Sequence, residues 1–405
     1  MSKSTFFTGQ PIFNQLLSLI PGNVVCRQAS LAAADRYCKR FKTSDHLTTM
    51  LYAVFNRCTA IREVTTGLLA WEQRIHHVGL RHHPRRSTLS DANKRRSADV
   101  FGNIYFDLLQ RYSCFLSDSR PKSKLSRLYI FDSTTITLFQ EILQGVGRPN
   151  HSGKRKGGIK MHTLIRSDQD VPCLVRYSDA SANDSKFLKD ISLAKGSYIV
   201  FDRGYKDYRT FNRLTEQGVS WITRLRERTS VTVNEWLTVD PLHKKQGIIT
   251  DCRVTLGHSY NQAAVKVAAR IVTYQDNESG QTFEFLTNNQ RISPVTIANY
   301  YRKRWQIELL FKRIKQNYPL QYFLGDNANA IKLQIWVVLI ADLLLKVIKR
   351  QHNCKWSFSN LTCLIRLHLM TYIHLTDFIK SIEKSLLKKI KEAQSGSLHP
   401  NLFPT

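Results

Sequence analysis

The chain has 405 residues, 42% of them hydrophobic, enough for two or three domains with sizeable cores, so a disordered polymer is excluded as the default. Sixty Lys and Arg against 31 Asp and Glu give a formal net charge of +29, far more than solubility needs, and such a field attracts polyanions by counterion release. Nucleic acid is the first partner to expect, ahead of a membrane surface or a merely solvated basic face. The eight cysteines form no CxxC pair and have no paired His spacing, which argues against structural zinc and a disulfide framework and fits a reducing compartment. The first residues show no long apolar core, so no signal peptide is expected and the protein is expected in the cytoplasm.

From residue 11 to about 104 the pattern is mostly helical. Ser44 or Asp45 can cap a helix on which Leu47, Met50, Leu51, Val54 and Phe55 recur at helical spacing. After a turn at His83 and Pro84, residues 85–96 read as a Ser/Thr-capped basic helix, suited to lie against phosphate or in a groove, or to pack only on its neighbours. Residues 117–126 are polar and read as a linker. Beyond them come three strands in succession, 128–138, 159–165 and 171–177, then a helix near 184–193, a strand at 198–201, a helix near 208–217 and a strand at 218–225. That order is the order of a ribonuclease-H-like α/β core. Residues 229 to about 285 are rich in Val, Thr and Ile and read as a β-rich insertion. A helix follows Ser293 and Pro294, a cap with a proline in the first turn. In the helical remainder, 335–348 is apolar but interrupted by Asp342 and Lys346 and shorter than the ~20 residues a bilayer requires, so it reads as a buried helix rather than a membrane span. The expected organisation is a helical, DNA-binding N-terminal domain (1–115), an α/β ribonuclease-H-like catalytic core with its insertion (125–325), and a helical C-terminal region with a basic tail (328–405).

Three acids stand out. Asp132 and Asp202 each follow an apolar strand-like run, and Glu308 sits among Tyr301, Arg304 and Lys315. Seven residues are nearly two helical turns, so Tyr301, Glu308 and Lys315 are expected on one helical face, with Arg304 one turn before Glu308. Cleaving and rejoining a phosphodiester needs an oxygen nucleophile in line with its leaving group. Two divalent ions about 3.5 to 4 Å apart stabilise both oxygens, and hard cations such as Mg²⁺ take carboxylate ligands. If the first and fourth strands are neighbours, Asp132 and Asp202 meet and Glu308 completes the site from a helix. Arg203 can contact a phosphate and Gly204 permits a sharp turn beside it. The glycine-rich segment 151–162 carries Lys154, Arg155, Lys156 and Lys160, suited to clamp a DNA backbone, and does not match a nucleotide-binding GxxxxGK[ST] loop. His162 reads more readily as structural. Arg304 and Lys315 suit phosphates and Tyr301 a phosphate or a base, although Ile307, Leu310, Phe311 and Ile314 would equally line an ordinary amphipathic helix. Asp184 and Asp190 are substitutes if the strand register slips.

Tyr301, Arg304, Glu308 and Lys315 match in full the Tyr, two residues, Arg, three residues, Glu, six residues, Lys signature of the insertion-sequence-four (IS4) family of bacterial transposases, which this chain resembles over about 125–320. Asp-Ser-Thr at Asp132, Asp-Arg-Gly-Tyr at Asp202 and Leu286-Thr-Asn-Asn289 are similar to that family as well. The N-terminal part is similar to a helical domain often fused to such transposases. The resemblance implies a DDE transposase. Asp132, Asp202 and Glu308 would hold two Mg²⁺ or Mn²⁺ ions, and Tyr301, Arg304 and Lys315 would hold the transposon end, with a DNA hairpin intermediate left open. It also implies a homodimer acting on double-stranded terminal repeats and target DNA, associated with the bacterial nucleoid. Water activated near Asp132 and Asp202 would cut one strand, and the freed 3′ hydroxyl would attack another phosphodiester. Trp236 lies in the insertion, where some members stack a tryptophan on a flipped base, and receives no role. The alternatives are a structure-selective nuclease and a catalytically silent DNA-binding protein. Against the latter, a binding-only protein has no physical need for clustered carboxylates that repel DNA.

Overall fold

A computed structural model describes residues 9–116, 127–137, 158–180, 185–257, 265–382 and 384–385. The chain divides into two compact units, a helical one, Met1–Leu116 with Arg313–Thr405, and a sheet unit, Ser117–Lys312. The linker expected at 117–126 lies outside the described residues.

The helical unit begins with α1 (Ile12–Leu17), α2 (Gly22–Leu31), α3 (Thr43–Asn56), α4 (Ile61–Leu69), α5 (Arg86–Arg95) and α6 (Ala98–Leu116). Asp45 accepts a hydrogen bond from the Lys42 amide (3.0 Å), closing the first turn of α3. Leu47, Met50, Leu51, Val54 and Phe55 are buried, as their spacing predicts. The basic helix α5 begins differently from the expectation. Arg85 occupies the N-cap with no side-chain bond, and Ser87 and Thr88 lie inside the first turn rather than before it. Leu89 and Asn93, one turn apart, are its buried residues.

The sheet unit holds nine strands: β1 (Leu128–Thr137), β2 (Gly158–Arg166), β3 (Pro172–Asp179), β4 (Tyr198–Phe201), β5 (Ser220–Arg224), β6 (Val231–Trp236), β7 (Ile248–Leu256), β8 (Val267–Gln275) and β9 (Thr282–Thr287). Between them lie α7 (Ser185–Leu188), α8 (Tyr208–Glu216) and α9 (Pro241–Lys245), and after them α10 (Pro294–Arg302) and α11 (Trp305–Asn317). The strand order is β3-β2-β1-β4-β5-β9-β8-β7-β6. Strands β1, β4 and β5 are mutually parallel, and β2 is antiparallel to both of its neighbours. The 3-2-1-4-5 half is the ribonuclease-H-like arrangement the sequence order predicts. The insertion is a meander that continues the same sheet, because β9 returns antiparallel to β5.

That return is fastened by Leu286-Thr-Asn-Asn289. Thr287 Oγ1 donates to the Trp221 carbonyl (2.7 Å), and Asn288 Oδ1 accepts from the Trp221 amide (2.9 Å) while its Nδ2 donates to the Val219 carbonyl (3.0 Å). A buried ion pair, Arg270 with Asp251 at 2.6 and 2.7 Å, also donates to the Ile292 carbonyl (2.8 Å) and so ties the meander to the entrance of α10. Ser293 then caps α10 by accepting from the Thr296 amide, with Pro294 in the first turn.

Pleating sorts the core onto two faces. Phe131, Ile199, Phe201 and Trp221 pack with Phe211 and Leu214 of α8. Leu128, Val200 and Ile222 pack with Ile297, Ala298, Tyr300 and Tyr301 of α10.

The chain re-enters the helical unit within α11, at Arg313, and continues through α12 (Ala328–Gln351) and α13 (Phe358–Leu367). Helix α12 is buried from Ile335 to Leu345, as expected for a core helix. Asp342 is satisfied there by Arg313 at 3.0 and 3.2 Å. Gly102 of α6 lets the Trp336 indole come so close that a Cβ would stand 2.8 Å from it. Among the described residues no helix is long and apolar enough to cross a membrane.

Candidate active site

Residues Leu128 and Val200 face α10, so Asp132 and Asp202, in the same pleat phase, face that side too. In the parallel β1–β4 ladder Phe131 stands opposite Phe201, so the next residue on each strand is an aspartate and the two are neighbours. Strand β4 ends there, whereas β1 continues to Thr137 in its ladder with β2, so Asp132 lies inside a strand and Asp202 at a strand end.

The acidic helix joins them by a route that departs from the expectation of one continuous helix. Tyr301 lies in the last turn of α10 and Glu308 in the first turn of α11. Between them the Arg304 amide donates to the Tyr301 carbonyl (2.9 Å) and the Gln306 amide to Lys303 (2.9 Å), bonds of three-residue span that tighten the chain. This changes the phase between the two helices and brings Arg304 over the acids. Arg304 Nη1 lies 3.3 Å from Asp132 Oδ2, and its Nη2 lies 2.7 Å from Glu308 Oε1. One guanidinium therefore bridges two of the three candidate acids.

Asp132 is largely enclosed, its side chain 17% exposed. Burial pushes its carboxyl up to about 6, with Asp202 and Glu308 adding like charge, against the Ser133 amide (2.8 Å) and Arg304, which favour the ionised form. The Tyr205 hydroxyl donates to Asp132 Oδ1 at 3.5 Å. Gly204 leaves the neighbouring space open, since a Cβ there would stand 3.8 Å from Asp202 Oδ2. Asp202 opens onto a cavity of about 360 Å³ shared with Arg203, Arg226 and Glu227. Tyr301 packs its ring under the Arg304 guanidinium (5.8 Å), and burial raises its phenol to about 12.

The structure thus brings Asp132, Asp202, Tyr301, Arg304 and Glu308 together, with Arg203 exposed beside Asp202 and 3.6 Å from Glu227. Lys315 is exposed on the part of α11 that belongs to the helical unit. Lys160, expected to face DNA, is instead buried in β2, a strand covered on both faces. Lys154, Arg155 and Lys156 lie outside the described residues, as does Asp184, while Asp190 is exposed in the turn after α7. His162 is buried, stacked on Phe187 (3.7 Å) and bonded to Ser178 Oγ (2.8 Å), a structural position. Trp236 is exposed on β6. Sequence reasoning passed over Tyr205 and Arg226; the signal for the first was the tyrosine that ends Asp-Arg-Gly-Tyr, and for the second the basic run 224–228.

Among the described residues, no three His, Cys, Asp or Glu side chains stand close enough to hold a metal ion as they are arranged. The donor chemistry nevertheless fits a hard divalent ion, because two carboxylates already enclose a cation, the Arg304 guanidinium.

Comparison with known proteins supplies the context. Residues 8–81 match a domain of unknown function, DUF4372. A protein of Sinorhizobium fredii (strain NBRC 101917 / NGR234) named as a transposase, y4zB, is 31% identical over 284 residues, 70% of this chain and 76% of that protein. A second, named as the transposase of insertion sequence element IS4SA of Synechocystis sp. (strain PCC 6803 / Kazusa), is 27% identical over 273 residues, 65% of this chain and 71% of that one. A chain of the piggyBac transposase synaptic complex with hairpin DNA aligns over 99% of this chain and 85% of its own at 11% identity and a TM-score of 0.41. Residues 123–344, more than half of the chain, match the transposase DDE domain. With acids placed on adjacent strands and on the helix beyond the insertion, this chain belongs to the transposase DDE domain family, enzymes that cleave DNA and transfer its strands with divalent metal ions.

Proposed function

We propose that the protein cuts an insertion sequence at its terminal repeats and joins it to target DNA, with Asp132, Asp202 and Glu308 as the catalytic and metal-holding carboxylates. The observation that carries this reading is the pairing of Phe131 with Phe201, which sets Asp132 beside Asp202, together with the Arg304 bridge from Asp132 to Glu308. Two Mg²⁺ or Mn²⁺ ions, when bound, would stabilise the attacking and leaving oxygens of an in-line displacement. With such ions bound Arg304 would be free to hold a DNA phosphate, and Asp132, whose ionised form burial disfavours, would keep a cation beside it. Arg203 and Arg226, on the cavity beside Asp202, are placed to grip phosphates by paired N–H donors. Tyr301 supports Arg304 from beneath, and Lys315 adds a further phosphate contact. The resemblance carries the rest of the reading: a homodimer pairing two ends, at the nucleoid.

The experiment is Mg²⁺-dependent cleavage and strand transfer on duplexes carrying the element's own flanking ends, comparing wild type with Asp132→Ala, Asp202→Ala and Glu308→Ala. Joined product from wild type, and DNA binding without chemistry in the variants, supports the reading. Nicked product alone points to a nuclease, and binding without cleavage by wild type points to a silent DNA-binding protein.

A further inference from the structure

The helical unit contains an open groove of about 1000 Å³ between residues 32–41 and α5, lined among others by Arg36, Tyr37, Lys39, Arg40, Asp91 and Arg95. The acid in that lining is already occupied: Asp91 pairs with Arg95 at 3.1 Å. Arg36, Lys39 and Arg40 are exposed and have no carboxylate partner among the described residues. Tyr37 is 88% exposed in a left-handed backbone conformation (φ 63°), with the Arg36 guanidinium 5.0 Å from its ring centre. An exposed aromatic in that conformation is costly for a surface that only meets water.

The loop is held in place from within. Arg96, 6% exposed, donates to Asp35 Oδ1 (3.2 Å), the Phe41 carbonyl (3.0 Å) and His46 Nδ1 (3.0 Å). Asp35 also accepts from the Thr43 amide (2.7 Å) and hydroxyl (2.8 Å), and His46 Nε2 donates to Asn93 Oδ1 (2.7 Å). A buried guanidinium so fully bonded anchors both ends of the loop to the C-terminal end of α5. The three cations and the tyrosine are therefore displayed on a preorganised frame, which lowers the ordering entropy lost when a ligand binds.

We propose that this groove seats the phosphate backbone of duplex DNA, with Arg36, Lys39 and Arg40 on phosphates and Tyr37 against a sugar or base. The choice of DNA among polyanions rests on the transposase reading. The site uses none of the three carboxylates and gives the region matching a domain of unknown function, with the helix that follows it, a backbone-binding role.

The test is fluorescence anisotropy of full-length protein on duplex DNA in EDTA, from 50 to 300 mM salt. Each neutralised phosphate contributes about 0.9 to the slope of log affinity against log salt. The variant Arg36→Gln/Lys39→Gln/Arg40→Gln is expected to lower that slope by about 2.7 and to weaken binding at least tenfold at 150 mM salt. Tyr37→Ala is expected to weaken binding with the slope unchanged. A control, Arg57→Gln/Arg62→Gln/Lys380→Gln, removes equal charge from exposed positions outside the groove lining and is expected to change the slope by less than one. An unchanged slope in the groove variant, an equal fall in the control, or tighter binding of RNA through the same residues overturns the proposal. Absence of any duplex binding by wild type would instead remove the transposase reading beneath it.

Discussion

Replacing Asp132 by asparagine removes a charge that the metal-free fold tolerates poorly. Burial, with the nearby Asp202 and Glu308, raises this carboxyl from 3.8 to about 6 despite the Ser133 amide and Arg304. The folded chain therefore binds the proton more tightly than the unfolded chain, so ionisation favours unfolding. The penalty is absent below pH 3.8, grows through the interval and is complete above about pH 6. At ~1.36 kcal/mol per pH unit, it amounts to roughly 3 kcal/mol at pH 8. The asparagine side chain resembles the protonated acid in shape and bears no charge at any pH. In EDTA at pH 8, Asp132→Asn is expected to melt higher than wild type, on the order of 5 to 10 °C for a unit of this size. At pH 4 the two should nearly coincide. Millimolar Mg²⁺ at pH 8 should raise wild type and leave the variant almost unmoved. Thermal unfolding followed by circular dichroism reads all three conditions. A variant less stable than wild type at pH 8, or a difference independent of pH, would refute the reasoning.

Other outcomes follow from the same geometry. Arg304→Ala leaves Asp132 and Glu308 without their shared guanidinium, so its melting temperature in EDTA should fall by a few degrees and recover more in Mg²⁺ than wild type does. Asp251→Ala strands the buried Arg270 and should cost about 3 to 5 kcal/mol in denaturant unfolding, whereas Asp251→Leu/Arg270→Met should recover much of it. His46 is buried, and that burial, with the Arg96 charge, depresses its imidazole to about 3. Its contribution is complete above pH 6.5 and is lost as pH falls toward 3, at up to ~1.36 kcal/mol per pH unit, a slope that His46→Gln should flatten in denaturant titrations between pH 7 and 4.5. Gly102→Leu forces a side chain into the Trp336 indole and should destabilise the helical unit by about 1 to 3 kcal/mol in the same assay.

The strands of the core were legible because each is an apolar run with clear turn chemistry at its ends, and 198–201 matches β4 residue for residue. What sequence could state only conditionally was the adjacency of Asp132 and Asp202, since strand pairing is a long-range choice that no local pattern encodes. The signature was legible as chemistry but misread as geometry. A period of 3.6 assumes an unbroken helix, and the tightened turn at Lys303 and Arg304 resets the phase. Lys160 was misplaced for a different reason. It was read with the glycine-rich basic segment 151–162, but β2 already begins at Gly158, lies between β1 and β3 and is buried on both faces. The groove over α5 left almost no trace in the sequence, because its frame joins Asp35, His46, Asn93 and Arg96 from separate segments.

Metal ligation by the acids can be read directly by changing the ligand atom. Asp202→Cys and Glu308→Cys, assayed for strand cleavage on the element's ends with DNA binding measured alongside, should be inactive in Mg²⁺, which avoids sulfur, and regain activity in Mn²⁺, which accepts it. Cleavage in Mg²⁺ at the wild-type rate by either variant would show that its carboxylate holds no ion, and would contradict the account at its centre.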